Sequence, residues 1–177
     1  MLAAAGFSQS GSTTWNDARV NDTAESLADL TPRRARPGEV RSAADLWLRA
    51  RRASVPQIPP PVHSDDEVRA YFETVLFPSQ ELWVVASQGQ LVALMALGGD
   101  WLEQLYVDPA WTGGGLGSRL VDLAKQRRAA LDLWTFQANL GARNFYERHG
   151  FLVVATTEGD NEEGAPDVRY HWQRPGQ

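Results

Sequence analysis

Hydrophobic residues recur at intervals of three and four positions in two segments of the first half of the chain, and this spacing predicts amphipathic helices. The first segment runs from Val40 to about Ser54. The second opens at Ser64, and Glu67 three residues later completes the pattern of a helix capping box. Pro78 follows the last hydrophobic residue of this segment, so we expect the second helix to end before it.

From residue 81 onward the pattern changes to short β-rich runs, which are typical of strands. Together with one short run near the start, the predicted strands are 33–36, 81–86, 90–97, 101–107, 131–136, 151–156 and 168–172. Two further helical segments interrupt them, one opening at the glycines of 113–117 and the other covering 139–149. This alternation of strands and helices predicts an α/β protein with a mixed sheet.

Residues 1–30 show no sustained hydrophobic period and are rich in Ser, Thr, Asn, Ala and Asp, a composition typical of a disordered leader. We therefore divide the chain into an N-terminal extension, 1–30, and one folded domain, 31–177. The first six residues lack the basic segment and the long apolar run of a secretory signal peptide, so the expected compartment is the cytoplasm.

Composition narrows the classes of function. The 177 residues include 17 Lys and Arg against 22 Asp and Glu, a net charge of −5, which argues against sequence-independent binding of nucleic acid. No apolar run approaches the ~20 residues that span a bilayer. The absence of cysteine excludes disulfides, thiolate metal ligands and a cysteine nucleophile, and three scattered histidines argue against a metal site. Assembly as a homodimer stays open.

Four of the five residues in 113–117, between a predicted strand and a predicted helix, are glycine. Successive backbone amides at a helix N-terminus bind anions, and glycine lets phosphate oxygens approach that backbone closely. A Walker A loop needs a Gly-Lys-Ser/Thr end, which this loop lacks, and the spacing of a dinucleotide fingerprint fails as well. Two interpretations remain, a pyrophosphate cradle of another pattern and a tight turn without a ligand.

The residues around this loop resemble motif A of the GCN5-related N-acetyltransferase (GNAT) family. Leu105-Tyr106-Val107-Asp108-Pro109 is similar to the strand and turn that begin the motif, and Gly115 and Gly117 match its glycines. Thr112 stands where the family has Gln or Arg, and Gly114 where a second cation is frequent. The resemblance therefore implies that the loop binds the pyrophosphate of coenzyme A mainly through backbone amides.

The second half of the chain resembles motif B of the same family. Residues 133–139 are similar to its strand and asparagine, and Phe145-Tyr146-Glu147-Arg148-His149-Gly150-Phe151 to the helix that follows. The resemblance covers about 33–172 and is greatest to bacterial members of the family. It implies the GNAT fold, a mixed and mostly antiparallel sheet with helices on both faces and a splayed central pair of strands, here 101–107 and 131–136.

The resemblance implies transfer of the acetyl group of acetyl-coenzyme A to a primary amine of a small molecule or peptide, by direct attack in a ternary complex. The cofactor-binding residues that it implies are Leu105, Tyr106, Val107, Thr112, Gly113, Gly114, Gly115, Leu116, Gly117, Ser118, Asn139 and Tyr146. Tyr146 is the expected acid, because phenol and thiol pKa values of ~10 and ~8.5 are close enough for modest tuning to suffice. A core tyrosine is the other interpretation, and Asn139 also suits a helix N-cap.

Trp101 stands at the position of the family's strand-borne glutamate, and Glu103 lies two residues further along the same strand. We expect Glu103 to remove the amine proton, with a water relay as the alternative. Trp101 and the carboxylates of the acidic loop 158–167 would receive a cationic acceptor, although such a run is also typical of a solvated loop. The three carboxylates that we expect to receive it are Asp160, Glu162 and Glu163.

The sequence leaves a second function open. Thr112, Gly114 and Trp101 all depart from the family pattern in the direction of weaker chemistry. The alternative to an acetyltransferase is therefore a catalytically weak module that binds or senses acyl-coenzyme A.

Overall fold

The strands of the described part of the chain, residues 30–176 of this computed structural model, form a single sheet. They are β1 (Arg33–Arg34), β2 (Glu81–Ser87), β3 (Gln90–Gly98), β4 (Trp101–Val107), β5 (Ala130–Phe136), β6 (Leu152–Thr157) and β7 (Asp167–Gln173). Their order across the sheet is β1-β2-β3-β4-β5-β7-β6. The predicted extension, 1–30, lies almost wholly outside the described residues, and the domain boundary stays a prediction.

The helices that flank the sheet are α1 (Val40–Ala53), α2 (Asp65–Tyr71), α3 (Leu116–Arg127) and α4 (Leu140–Arg148). The Ser64 side chain accepts a hydrogen bond from the Glu67 amide, which confirms the capping box of α2. The expected end of this helix before Pro78 is wrong, because α2 continues through a π-helical turn, Phe72–Leu76, and a last turn, Phe77–Ser79. Pro78 is the second residue of that last turn, and the helix ends one residue after it, at Ser79.

Helices cover both faces of the sheet, as the resemblance implies. On one face α1 and α2 bury Trp47 and Phe72 against sheet residues that include Leu94 and Tyr106. On the other face α3 and α4 pack around a second cluster, which contains Leu105, Leu120, Leu133 and Tyr146. The neighbours Leu105 and Tyr106 therefore belong to opposite faces, as the alternation of a strand requires.

The central strands β4 and β5 separate soon after they meet. They are parallel and pair only at Trp101 and Asp132, whereas every other neighbouring pair in the sheet is antiparallel. From residue 102 to the end of β4, the edge that faces β5 has no strand partner within the described sheet. This confirms the splayed central pair and leaves a gap that opens toward Val107. No helix within residues 30–176 is long and apolar enough to cross a membrane.

Candidate active site

Two side chains of motif A hold the turn that follows β4. Asp108 accepts a hydrogen bond from the Ala110 amide at 3.1 Å and pairs with Arg49 of α1 at 3.1 Å. The Thr112 hydroxyl donates to the Pro109 carbonyl at 3.0 Å. The donor of Thr112 is thereby used within the turn, so the loop has its backbone amides to offer to a ligand.

Two glycines give the loop a backbone conformation that other residues rarely adopt. Gly113 and Gly115 have φ angles of +81° and +82°, in the left-handed region. Gly115 is the N-cap residue of α3, and the Arg119 amide donates to its carbonyl at 3.1 Å. The amides of 116–118 precede this first helical bond, and at a helix N-terminus such amides form an anion site.

A cleft of about 270 Å³ lies beside this loop and extends to α4. Val107, the last residue of β4, lines it, so the cleft begins where the gap between β4 and β5 is widest. Arg148 of α4 lines the same cleft. Sequence reasoning missed this cation, because Arg148 lies in motif B and only the fold brings it to the glycine loop of motif A.

Asn139 positions α4 relative to the end of β5. Its side-chain oxygen accepts a hydrogen bond from the Ala142 amide at 3.1 Å, which confirms the N-cap interpretation. The residue is fully buried. Its contact with the pantetheine of coenzyme A stays a prediction, and the cap fixes where α4 places the side chains of Phe145 and Tyr146.

Tyr146 lies in an aromatic cluster on α4. Its ring is packed against Phe145, Phe151 and Tyr170, with centroid distances of 5.3, 5.5 and 6.1 Å. Its hydroxyl is buried and has no hydrogen-bond partner within the described residues. Because buried hydroxyls are normally paired, this one points to a ligand that completes the site.

Burial raises the pKa of the Tyr146 phenol well above its ordinary value, and the neighbouring Tyr106 adds to the shift. The pKa shift is therefore larger than expected, and it moves the pKa of the phenol away from that of a thiol. A raised pKa keeps the phenol protonated across the physiological range, so its proton is always available but less readily released.

Glu103 is the extra residue of a β-bulge in β4. The register passes from the pair Ala96–Gln104 to the pair Leu97–Leu102 and leaves Glu103 unpaired with β3. The bulge puts Leu102 and Gln104, which simple alternation would place on one face, on opposite faces of the sheet. Glu103 is half-buried, and desolvation raises the pKa of its carboxyl above the ordinary value, which makes it a stronger base than an exposed glutamate.

Trp101 marks the point where β4 and β5 meet. The Arg169 guanidinium lies 5.0 Å from the centroid of its ring, and Arg169 pairs with Asp132 at 3.0 Å. This stack lies at the narrow end of the gap between the strands. The role of Trp101 toward an acceptor stays a prediction.

The three acidic loop residues named in the sequence analysis have different environments. Asp160 is exposed, and Glu162 pairs with His63 at 3.1 Å, which lowers the pKa of the Glu162 carboxyl. The backbone of Glu163 is partly exposed, but its side chain is only 1% exposed and pairs with Arg51 of α1. Asp160 and Glu162 therefore belong to a solvated loop, whereas the Glu163 side chain points into the molecule.

Arg51 is the second residue that sequence reasoning missed. Its side chain is fully buried, and its guanidinium lies 5.6 Å from the ring centroid of Trp47 and 5.2 Å from that of Phe136. It belongs to the segment Arg49-Ala50-Arg51-Arg52, in which the local sequence does not show which arginine faces the sheet. Only the packing of α1 against the sheet distinguishes it.

Comparison with known proteins agrees with this architecture. A family model described as Acetyltransferase (GNAT) domain matches residues 78–153. Peptidyl-lysine N-acetyltransferase YjaB of Salmonella typhimurium is 34% identical over 85 residues, which cover 48% of this chain and 59% of that protein. The protein of the same name from Escherichia coli is 29% identical over 135 residues, 75% of this chain and 88% of that protein.

A solved structure gives the same result for the fold. The solution structure of apo-form YjaB from Escherichia coli has a TM-score of 0.64 and 25% identity, and covers 81% of this chain and 97% of that one. The matched segment 78–153 spans the splayed strands, the glycine loop and α4, which are the elements that build the site. The chain shares the fold of that structure, and its residues 78–153 are similar to the acetyltransferase (GNAT) domain.

Proposed function

We propose that the chain transfers the acetyl group of acetyl-coenzyme A to a primary amine, by direct attack in a ternary complex, and that lysine side chains of peptides are its acceptor class. The observation that carries the proposal is the gap between β4 and β5, which opens toward the glycine-loop cleft and lies near Tyr146, whose hydroxyl has no hydrogen-bond partner among residues 30–176.

The residues present fit coenzyme A. The amides of 116–118 and the Arg148 guanidinium would hold its pyrophosphate, because both offer donors to phosphate oxygens at one cleft. Among the described strands, none pairs with the β5-facing edge of β4 after Trp101, and buried backbone groups need hydrogen-bond partners. Leu105 and Val107 would meet that need by bonding the pantetheine. The cofactor supplies the acetyl group, activated as a thioester.

Two side chains would move protons during the transfer. Glu103 would take a proton from the amine nitrogen, and its raised pKa suits that role. As the new N–C bond forms and the C–S bond breaks, the Tyr146 hydroxyl would give its proton to the leaving sulfur. Because the chain contains no cysteine, no cysteine thiol of the protein can carry the acetyl group between coenzyme A and the amine, which fits direct attack.

The proposed acceptor class rests on the charge of the loop between β6 and β7 and on the names of two relatives. Exposed carboxylates at Asp160 and Glu162 would attract an ammonium group toward the loop between β6 and β7. Both YjaB relatives carry the name peptidyl-lysine N-acetyltransferase. A lysine side chain also places its amine at the end of an unbranched stem, which suits entry between packed side chains.

The experiment is a thiol-release assay of the full chain with acetyl-coenzyme A and Nα-acetyl-lysine amide. We expect thiol release that depends on this amine, and mass spectrometry should find the acetyl group on the ε nitrogen. The matched control is the same compound with its ε nitrogen already acetylated, which should give no release. Binding of acetyl-coenzyme A without turnover of any amine in a broad panel would contradict the proposal and favour a binding module.

A further inference from the structure

The ion pair of Arg51 and Glu163 is buried but incompletely bonded. Arg51 Nη2 donates to Glu163 Oε1, and the two side chains are 0% and 1% exposed. Arg51 Nε, Arg51 Nη1 and Glu163 Oε2 are also buried, and they have no hydrogen-bond partner within the described residues. Buried polar atoms left without partners are destabilising, so a purely structural pair would be expected to use them.

This pair lies over the part of the sheet where β4 and β5 have separated. The Arg51 guanidinium packs on the ring of Phe136, the last residue of β5. On β4, burial raises the pKa of the Tyr106 phenol while the nearby Arg51 opposes that shift. The same Tyr106 adds to the raised pKa of the Tyr146 phenol. Tyr106 of β4 therefore interacts electrostatically both with Arg51 of the pair and with Tyr146.

The loop between β6 and β7 is built to hold Glu163 in this position. The Asn161 amide donates to the Ala165 carbonyl at 2.7 Å and to Asp167 Oδ2 at 3.0 Å. Its side-chain oxygen accepts from the Ala165 amide at 3.2 Å. Gly159 approaches Gly164 so closely that a Cβ at Gly159 would lie 2.7 Å from its carbonyl oxygen. These contacts close the loop on itself and turn Glu163 inward.

We propose that Glu163 is the carboxylate that receives the acceptor amine, with Oε2 accepting a hydrogen bond from the amine nitrogen and Arg51 acting as its positioning residue. This inference rests on the proposed function and deepens it. An ionised carboxylate only accepts hydrogen bonds, so Oε2 needs a donor, and an amine is the donor that acetyl transfer brings. The carboxylate alone would favour the ammonium form of the amine, and the guanidinium beside it offsets that preference.

The same geometry selects the shape of the acceptor. The rings of Trp47 and Phe136 flank the guanidinium, and both side chains of the pair are buried. An unbranched alkylamine can carry its nitrogen between such rings, whereas an α-amine, with its branched carbon, has a larger cross-section. The site is therefore expected to favour the ε nitrogen of lysine over the α nitrogen of the same residue.

The test compares Glu163→Gln with Glu158→Gln, an exposed carboxylate in the same loop. The probe is Nα-acetyl-lysine amide with acetyl-coenzyme A and the full chain. Glu163→Gln should lower kcat/KM for the probe by about 10- to 100-fold, the loss typical of a hydrogen bond to a charged group, and should leave the KM for acetyl-coenzyme A unchanged. Glu158→Gln should match the wild type.

A second set of variants separates binding from folding. Arg51→Met leaves a buried carboxylate unpaired and should lower the melting temperature, whereas Arg51→Met with Glu163→Leu removes both charges and should restore it. We expect the double variant to fold and bind coenzyme A yet fail to use the probe. Wild-type kinetics in Glu163→Gln, or a defect confined to acetyl-coenzyme A, would overturn the inference. A wild type that never acetylates the probe would instead overturn the proposed function, before any variant is compared.

Discussion

The glycine loop and the Arg51–Glu163 pair lie at different parts of the same gap and are assembled in different ways. The loop is continuous, with its strand end, turn and helix start all within 105–118. The pair joins residues 112 positions apart, from α1 and from the loop between β6 and β7. The half of the site that would hold the cofactor is therefore encoded locally, whereas the half proposed for the acceptor exists only once the sheet has formed.

The largest effect is expected from Gly115→Asp in the locally encoded half. The change adds a carboxylate beside amides that would face phosphate, and forces a residue with a Cβ to adopt a φ of +82°. Binding of coenzyme A, measured by calorimetry, should be lost.

Gly99→Asp is the matched control. It has a φ of +57° and open space around a Cβ, in the turn between β3 and β4. It also places an Asp at a positive φ and adds the same charge, but outside the glycine loop, so it should retain coenzyme A binding. Equal affinity of the two variants would remove the glycine loop from the site.

Tyr146→Phe should lower kcat by ~10²–10⁴-fold while the affinity for coenzyme A stays near that of the wild type. Because the Tyr146 hydroxyl has no partner within the described residues, its removal should not lower the melting temperature. Tyr170→Phe offers the reverse pattern, because the Tyr170 hydroxyl donates to Glu147 at 2.7 Å. That variant should lose stability and retain kcat, and unchanged turnover in Tyr146→Phe would exclude it as the acid.

The pH profile tests Glu103. A base must be deprotonated to act, so the acidic limb of kcat/KM should lie above the pKa of an ordinary glutamate, and Glu103→Gln should abolish it. The folded state raises this pKa, so it binds the proton more tightly than the unfolded chain does, and stability falls as pH rises through the folded pKa. Glu103→Gln should therefore be slightly more stable than the wild type near neutral pH. An unchanged acidic limb would assign the base elsewhere.

The smallest effect is expected at Arg148. The side chain is exposed, and an exposed charge pair contributes little, so Arg148→Gln should weaken coenzyme A binding by about 2- to 5-fold and reduce its dependence on salt. Arg41→Gln removes the same charge from an exposed position of α1 and should have no effect. Equal affinities at low salt would show that backbone amides alone hold the pyrophosphate.

Much of the fold could be predicted because its signals are local. The capping box at Ser64, the alternation in the strands and the glycines before α3 each act over a few residues. The bulge at Glu103 could not be predicted, since it depends on how β4 is paired with β3. Arg51 was missed for the same reason, and Glu163 was expected only as one of three carboxylates in an acidic run, because burial alone distinguishes each from its neighbours.

Direct attack requires both halves of the site to be occupied at once, and initial-rate kinetics test this most directly. Acetyl-coenzyme A is varied at several fixed concentrations of Nα-acetyl-lysine amide, and thiol release is measured with the wild-type chain. Direct attack in a ternary complex predicts double-reciprocal lines that intersect. Parallel lines would mean that the acetyl group leaves coenzyme A before the amine binds, which would contradict direct attack.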